Sequence, residues 1–453
     1  MSRQRIVLTW NGELPRKFRG RFSYSVQLAA QQKKVRFGLH QLLRELKLQH
    51  RRPDPVALEL AFVAVAVWIA DTRLSRAEFS EDNWTREIEI VVPVRNPGAW
   101  EEHAAQLARI LGTLSGDIWT VRFYRADQAL RAYIKDKCAD ARPRQDAPPI
   151  ALFSGGLDSY VGAIDALCGD RVQPVFVGQT DAGNSVTVNE LKALLERGRE
   201  SPLALFRWQM SCKAGDLGEG FSGSGELTMR ARSFLFFAAS VLVATAHGSR
   251  MILVPENGFI SLNVPLDPWR LGALTTRTTH PYVIARFNEL LASLGLSAAL
   301  SNPFQGMTKG EMLAQCADRK LLRQGLGSTV SCSKPKWVRR YRAQHGTSHC
   351  GVCWPCLIRR AAVRRAFPSW SDPTRYVNEQ LSHLHDEPGE AGHVVRSIQY
   401  GLNILREPDA KLRLSLATVA PLRDVEDQIA DLVGCVRRGL AEVARVVGLR
   451  APR

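Results

Sequence analysis

Two runs of apolar residues dominate the chain: VALELAFVAVAVWIA (56–70) and FLFFAASVLVATA (234–246). The first carries Glu59 and is short, and the second falls well below the length that spans a bilayer, so both are expected as buried elements with no membrane involvement. Shorter apolar stretches separate three regions. In residues 1–137, RIVLTW (5–10), REIEIVVPV (86–94) and IWTVRFY (118–124) predict strands, and the three-and-four spacing of PGAWEEHAAQLARILGTL (97–114) predicts a helix. This mixture is read as an N-terminal α+β domain. The proline-bearing, aperiodic segment 138–149 is read as a linker.

From 150 to 327 strands and helices alternate. IALF (150–153), VQPVFVGQ (172–179), LALFRWQM (203–210) and RMILVPENG (250–258) predict strands. Helical patterns follow them, ending with HPYVIARFNELLASLG and TKGEMLAQCADRKLLRQGL. Such alternation predicts a parallel, doubly wound α/β sheet, which binds ligands outside the carboxyl ends of its strands. Beyond it lie a cysteine-bearing segment (328–370) and a helical C-terminal region (371–453), with an amphipathic helix over 421–448.

Composition sharpens this only slightly. The chain has 453 residues, is 45% hydrophobic and 23% charged, and carries a formal net charge of +17. That excess favours anionic partners: nucleotides, RNA or an acidic protein. No basic run alternates with aromatics, so RNA binding is open but not favoured. The opening MSRQRIVLTW has no apolar core, so a secretory signal is not expected and a cytoplasmic location is.

Candidate chemistry sits at two places. The first is the loop Ser154-Gly155-Gly156-Leu157-Asp158-Ser159, between a strand and a helix. It lacks the lysine of a Walker loop. Its glycines let the backbone approach an anion, Ser154 and Ser159 add hydroxyls, and the helix start adds a favourable dipole. Asp158 fits beside phosphates if a Mg²⁺ ion accompanies them. The bland alternative is a turn of small residues capping a helix. The second place is Cys332, Cys350, Cys353 and Cys356, spaced C-x17-C-x2-C-x2-C, which suits one tetrahedral, structural Zn²⁺. His345 and His349 are spare donors there.

SGGLDS resembles the PP-loop of the ATP pyrophosphatases, whose fold is of the adenine nucleotide alpha hydrolase-like type. These enzymes split ATP between the α and β phosphates and adenylate an oxygen. With the later CGxCxxCxxR knuckle, residues 148–367 resemble the 7-cyano-7-deazaguanine synthases, the QueC family. The long N-terminal extension resembles QatC-type members found in antiviral defence operons. The resemblance implies ATP, Mg²⁺ and Zn²⁺ as cofactors and a deazapurine carboxylate such as 7-carboxy-7-deazaguanine as substrate. It further implies a nitrogen nucleophile, either ammonia or an amine of a partner protein. Asp158 and Lys309 (of TKGE, with Glu311) are matched to catalytic roles, and Gly178-Gln179 to that family's YGQ. Trp354-Pro355 replaces an acidic residue between the last two cysteines, and Val330 and Ser333 replace an aromatic pair. Two other readings stand beside this one: a tRNA-modifying PP-loop enzyme, with Cys212 or Cys316 in play, and a non-catalytic ATP-sensing scaffold.

Other positions are read two ways. Glu256 and Asn257 contact Mg²⁺, ribose or base, or they form a helix-cap or turn pair. Arg277, Thr278, Thr279 and His280 touch phosphate, or Thr279 caps a helix. Arg230 and Arg232 face the nucleotide or the solvent. Asp71, Arg73, Asp82, Trp84, Asp117 and Trp119 form a partner surface, or core aromatics with solvated charge.

Overall fold

The computed structural model describes residues 3–29, 37–140, 142–169, 172–179, 184–211, 225–226, 228–264, 277–334, 340, 342–381, 384 and 386–449. Two sheets organise the first 301 residues, and every strand pairing within them is parallel. The first runs in the order β2-β1-β3-β4, with β1 Gln4–Thr9, β2 Ser23–Gln27, β3 Glu87–Val94 and β4 Ile118–Arg125. The second runs β7-β6-β5-β8-β9, with β5 Ile150–Leu152, β6 Val175–Gln179, β7 Leu205–Trp208, β8 Met251–Leu253 and β9 Ala299–Ser301.

The parallel first sheet corrects the α+β expectation: the N-terminal region is α/β. Parallel neighbours need crossovers, and helices supply them. Leu39–Leu48 and Pro55–Arg73 lie between β2 and β3, and Pro97–Glu101 and Ala104–Ser115 between β3 and β4. Strand β2 (SYSVQ) has too little apolar content to be read from the sequence. The expected single helix over 97–114 is broken between 101 and 104.

Helix Pro55–Arg73 starts cleanly. The Asp54 side chain accepts from Val56 N at 2.7 Å, and Pro55 fills the first turn, where an N–H would go unused. Its residues are apolar on all sides because it is covered on all sides. It packs against β1 and β3 on one face and against helix Arg232–His247 on the other. That second helix covers β5, β6 and β8. Pro55–Arg73 is long and apolar enough to cross a membrane, yet it is a buried core helix here. One hydrophobic core therefore runs from Ile6 and Ile90 through Phe62 and Phe237 to Ile252. The segment expected as a linker is pinned at two points: Ala139 N donates to Pro53 O (3.1 Å) and Arg144 N to Gly248 O (3.0 Å).

The C-terminal region has its own core. Helices Trp354–Ala366, Glu390–Ile404, Asp409–Ala417 and Ile429–Val446 enclose Leu357, Leu412, Leu432, Val436 and Leu440, together with three of the four clustered cysteines.

Candidate functional site

The second sheet fixes where the site lies. From β5 the chain builds toward β6 and β7 on one side and toward β8 and β9 on the other, so the carboxyl ends of β5 and β8 flank the switch point. Loop 153–156 leaves β5 there and enters helix Leu157–Gly169. Gly155 has φ +82°, and a Cβ on it would come within 3.1 Å of Thr187 and Val188 side-chain carbons. Both facts exclude a larger residue. The loop is tied to itself: Ser159 Oγ donates to Gly156 O (2.9 Å) and accepts from Ser154 N (3.3 Å), and Gly156 N donates to Ser154 Oγ (3.3 Å). Gly178 lets β6 pass close by, since a Cβ there would lie 2.3 Å from Phe153 O.

Four expected site residues meet beside this loop. Asp158, in the helix's first turn, pairs through Oδ1 with Lys309 Nζ at 3.1 Å. Its Oδ2 accepts from Asn257 Nδ2 at 2.8 Å and Asn257 N at 3.3 Å. Asn257 also caps helix Gly258–Leu262, accepting from Ile260 N at 3.1 Å, which is the helix-cap reading. Glu256 accepts from the Thr279 hydroxyl, which is also bonded to Ser261 Oγ (2.7 Å). Burial, followed by the charge of Asp158, pushes Glu256 up to about 7 against the pull of Thr279 and Lys309. Thr279 therefore binds Glu256 and Ser261 rather than capping Pro281–Ser293. His280 is that cap, its Nδ1 accepting from Tyr282 N at 3.2 Å.

Gln179, at the carboxyl end of β6, accepts from Arg232 Nε at 3.0 Å, which brings the start of helix Arg232–His247 to the same rim. Arg230 turns away, stacking 4.1 Å over Trp84. Arg277 donates to Thr113 O at 3.1 Å. Thr187 was not singled out in the sequence. It is 1% exposed, lies against Gly155, and its hydroxyl meets no partner among the described residues. A lone threonine in a helix start carries no sequence signal. Glu311 does not join the site; it closes a capping box with Thr308.

The four cysteines converge. Their sulfurs all lie within 4.8 Å of one another, with Cys332–Cys353 at 3.9 Å and Cys350–Cys356 at 4.0 Å. Tetrahedral Zn–S bonds of about 2.3 Å give edges of about 3.8 Å, so the set fits zinc. Hydrogen bonding from Cys332 pulls Cys353 down to about 7 and Cys350 lower still. The histidines stay outside the shell. His349 is buried, is pushed down to about 2, and accepts through Nε2 from Ser331 N at 3.1 Å; His345 is exposed. Arg359, one turn after Cys356, is fully buried and has no carboxylate partner among the described residues. A zinc tetrathiolate, with a net charge of about −2, would offset it.

The knuckle also reaches the loop. Arg359 donates to Thr329 Oγ1 (2.7 Å), Leu326 O (2.6 Å) and Thr374 Oγ1 (3.0 Å). The strap it holds then gives Val330 N to Gly155 O at 3.1 Å. Val330 thus acts through its backbone. Trp354 and Pro355 open helix Trp354–Ala366, with Trp354 against Phe259.

Cys316 is buried and pushed up to about 12 by its apolar surroundings, which suits a core thiol. Cys212 lies outside the described residues. In the N-terminal region Asp71 and Asp117 are buried in an ion cluster with Arg76 and Arg86, not on a partner surface. Trp119 is a core residue bonded to Ser115 Oγ at 2.8 Å, while Asp82 is exposed and caps a turn. No family model and no curated protein matches the chain.

Proposed function

We propose that the chain is an ATP-dependent carbon–nitrogen ligase with a PP-loop fold, similar to the 7-cyano-7-deazaguanine synthases. The observation that carries this is the Lys309–Asp158 pair, 3.1 Å apart, in the first turn after a glycine loop at the carboxyl end of β5. The triphosphate of ATP would lie against the amides of Leu157, Asp158 and Ser159, which open the helix without intrahelical partners. Lys309 would swing from Asp158 to the charge that develops as the α-phosphate is attacked. A deazapurine carboxylate would become the adenylate, pyrophosphate would leave, and an amine would displace AMP.

Glu256, Asp158 and Thr279 offer oxygens suited to Mg²⁺, provided Lys309 leaves Asp158 Oδ1; the ion would neutralise phosphate charge. Gln179 and Arg232 would border the nucleoside. The zinc site would brace the loop through Arg359 and Val330 without touching substrate.

The test is incubation with ATP, 7-carboxy-7-deazaguanine and candidate amines, ammonia included. AMP with a mass gain on one amine supports the reading. Tight ATP binding with no AMP overturns it in favour of a scaffold. A second reading, RNA as the acceptor, is favoured by two exposed arginines held flat against aromatic rings: Arg319 over the buried Phe367 at 4.9 Å and Arg323 over the half-buried Trp370 at 5.4 Å. Salt-sensitive tRNA binding that accelerates AMP formation would support it.

A further inference from the structure

Lys309 does not stand on its own element alone. Helix Lys309–Ala314 has six residues, too few to hold a side chain firmly without help. Its N-cap, Thr308, is fully buried and makes a reciprocal box with Glu311: Glu311 N donates to Thr308 Oγ1 (3.1 Å) and Thr308 N to Glu311 Oε2 (2.9 Å). Both members of the box are then gripped from outside. Thr308 Oγ1 donates to Glu442 Oε1 at 2.7 Å, and Glu442 lies on helix Ile429–Val446. Arg438, one turn earlier on that helix, donates to Glu311 Oε1 at 2.6 Å and to Gly306 O at 3.0 Å. Arg365, from the helix that carries Cys356, bridges the two acids at 2.9 Å (Glu442) and 3.2 Å (Glu311).

The fit is tight at the next residue. A Cβ on Gly310 would lie 2.6 Å from Glu442 Oε2 and 2.5 Å from Arg365 Cδ. Glu442 is 6% exposed, and a buried carboxylate in contact with both a hydroxyl and a guanidinium is a demanding arrangement to maintain. A helix needed only to cover apolar surface would not place one there.

We propose that Glu442 is a positioning residue: through Thr308 it fixes the backbone that presents Lys309 to Asp158, which makes the C-terminal helix part of the site. The catalytic half of this statement rests on the ligase reading; the mechanical half does not. Thr308, Gly310 and Glu442 hold the start of the short helix still, so only the Lys309 side chain moves between Asp158 and substrate.

The experiment compares full-length wild type with Glu442→Ala and Glu442→Gln. The first readout is independent of turnover: the rate at which an amine-reactive acetylating reagent labels Lys309, followed by mass spectrometry of that peptide. Glu442→Ala is expected to raise this rate about tenfold, with unchanged labelling of exposed lysines such as Lys411. Glu442→Gln keeps an acceptor for Thr308 and is expected to restore most of the protection. The second readout is kinetic: Glu442→Ala lowers kcat of pyrophosphate release about tenfold with the KM for ATP unchanged, and Glu442→Gln recovers it. Wild-type labelling of Lys309 in Glu442→Ala overturns the proposal. If Glu442→Ala does not fold, Glu442→Leu removes the same acceptor at nearly constant volume, leaves the Thr308–Glu311 capping box in place and is read identically. A wild-type protein that releases no pyrophosphate defeats the ligase reading, and the labelling arms still decide the latch.

Discussion

Two buried groups of charges sit at opposite ends of parallel strands, and they differ in how completely they are satisfied. At the amino ends of β3 and β4, Arg86 bonds Asp117 (2.7 Å) and Asp71 (3.0 Å), and Arg76 bonds Asp117 again (3.0 Å). Both oxygens of each aspartate are engaged, the last by Ala231 N at 2.8 Å. This cluster fastens the N-terminal sheet to the segment that precedes helix Arg232–His247. At the carboxyl ends of β5 and β8, Asp158, Lys309, Glu256 and Asn257 also bring acids and a base together, but pair them less completely. Glu256 is left close to its protonated form, and among the described residues Lys309 makes one ion pair, with Asp158. Saturated buried charge holds elements together; undersupplied buried charge is available to a ligand.

The largest effect is expected where the support of the site depends on an ion. Structural zinc contributes on the order of 10 kcal/mol of binding free energy in small domains. Stripping it with a strong chelator, or replacing Cys353 by Ser, should release one equivalent of zinc and lower Tm by more than any single change described below. It would also leave Arg359 buried without a counter-charge and loosen the Val330–Gly155 contact. Metal content and a thermal melt check this together. Next is Arg86→Leu, which strands two buried aspartates. Breaking such a group from one side costs about 3–5 kcal/mol. Urea denaturation should show that loss, while the ATP binding that the ligase reading expects is unchanged in molecules still folded.

The sequence exposed the second sheet better than the first. Alternating apolar strands and helices after residue 150 report a parallel sheet directly, and SGGLDS and the four cysteines carry their chemistry in adjacent residues. Strand β9, with three residues, and β2, with its serines, are defined by their neighbours rather than by their own pattern. Thr187 and Glu442 were illegible for another reason. Each becomes meaningful through a partner far along the chain, Gly155 for the first and Thr308 for the second, and local spacing carries no record of such a meeting. The Asp71–Asp117 cluster was visible only as scattered polar residues because its organiser, Arg86, reads as an ordinary strand-flanking arginine.

A double replacement separates the two clusters further. Asp158→Asn combined with Lys309→Met removes both charges of the site pair at nearly constant volume. Exchanging both members of a buried pair is close to neutral for stability, so the unfolding free energy should stay within about 1 kcal/mol of wild type. On the ligase reading, pyrophosphate release should fall about 10²–10³-fold, the scale of losing one preorganised electrostatic contact. A matching loss of stability would make this pair glue, like Arg86, and erase the contrast.

The smallest effect tests the undersupplied carboxyl directly. Glu256 rises from 4.5 to about 7 on folding, because burial disfavours its charged form. Between those values the folded chain binds more protons at this residue than the unfolded chain does. Its contribution to stability therefore falls as pH rises through that window. His280 acts in the opposite sense: burial lowers it from 6.5 to about 4, so its contribution rises with pH over 4 to 6.5. The wild-type profile mixes these with other buried groups such as His247 and Glu442, and the difference between wild type and Glu256→Gln isolates the first. That difference should slope downward from pH 4.5 to 7 and flatten above it, measured by urea unfolding at fixed ionic strength. A flat difference would mean that Glu256 is charged and satisfied in the folded chain. The carboxyl ends of β5 and β8 would then hold no undersupplied acid to meet a ligand.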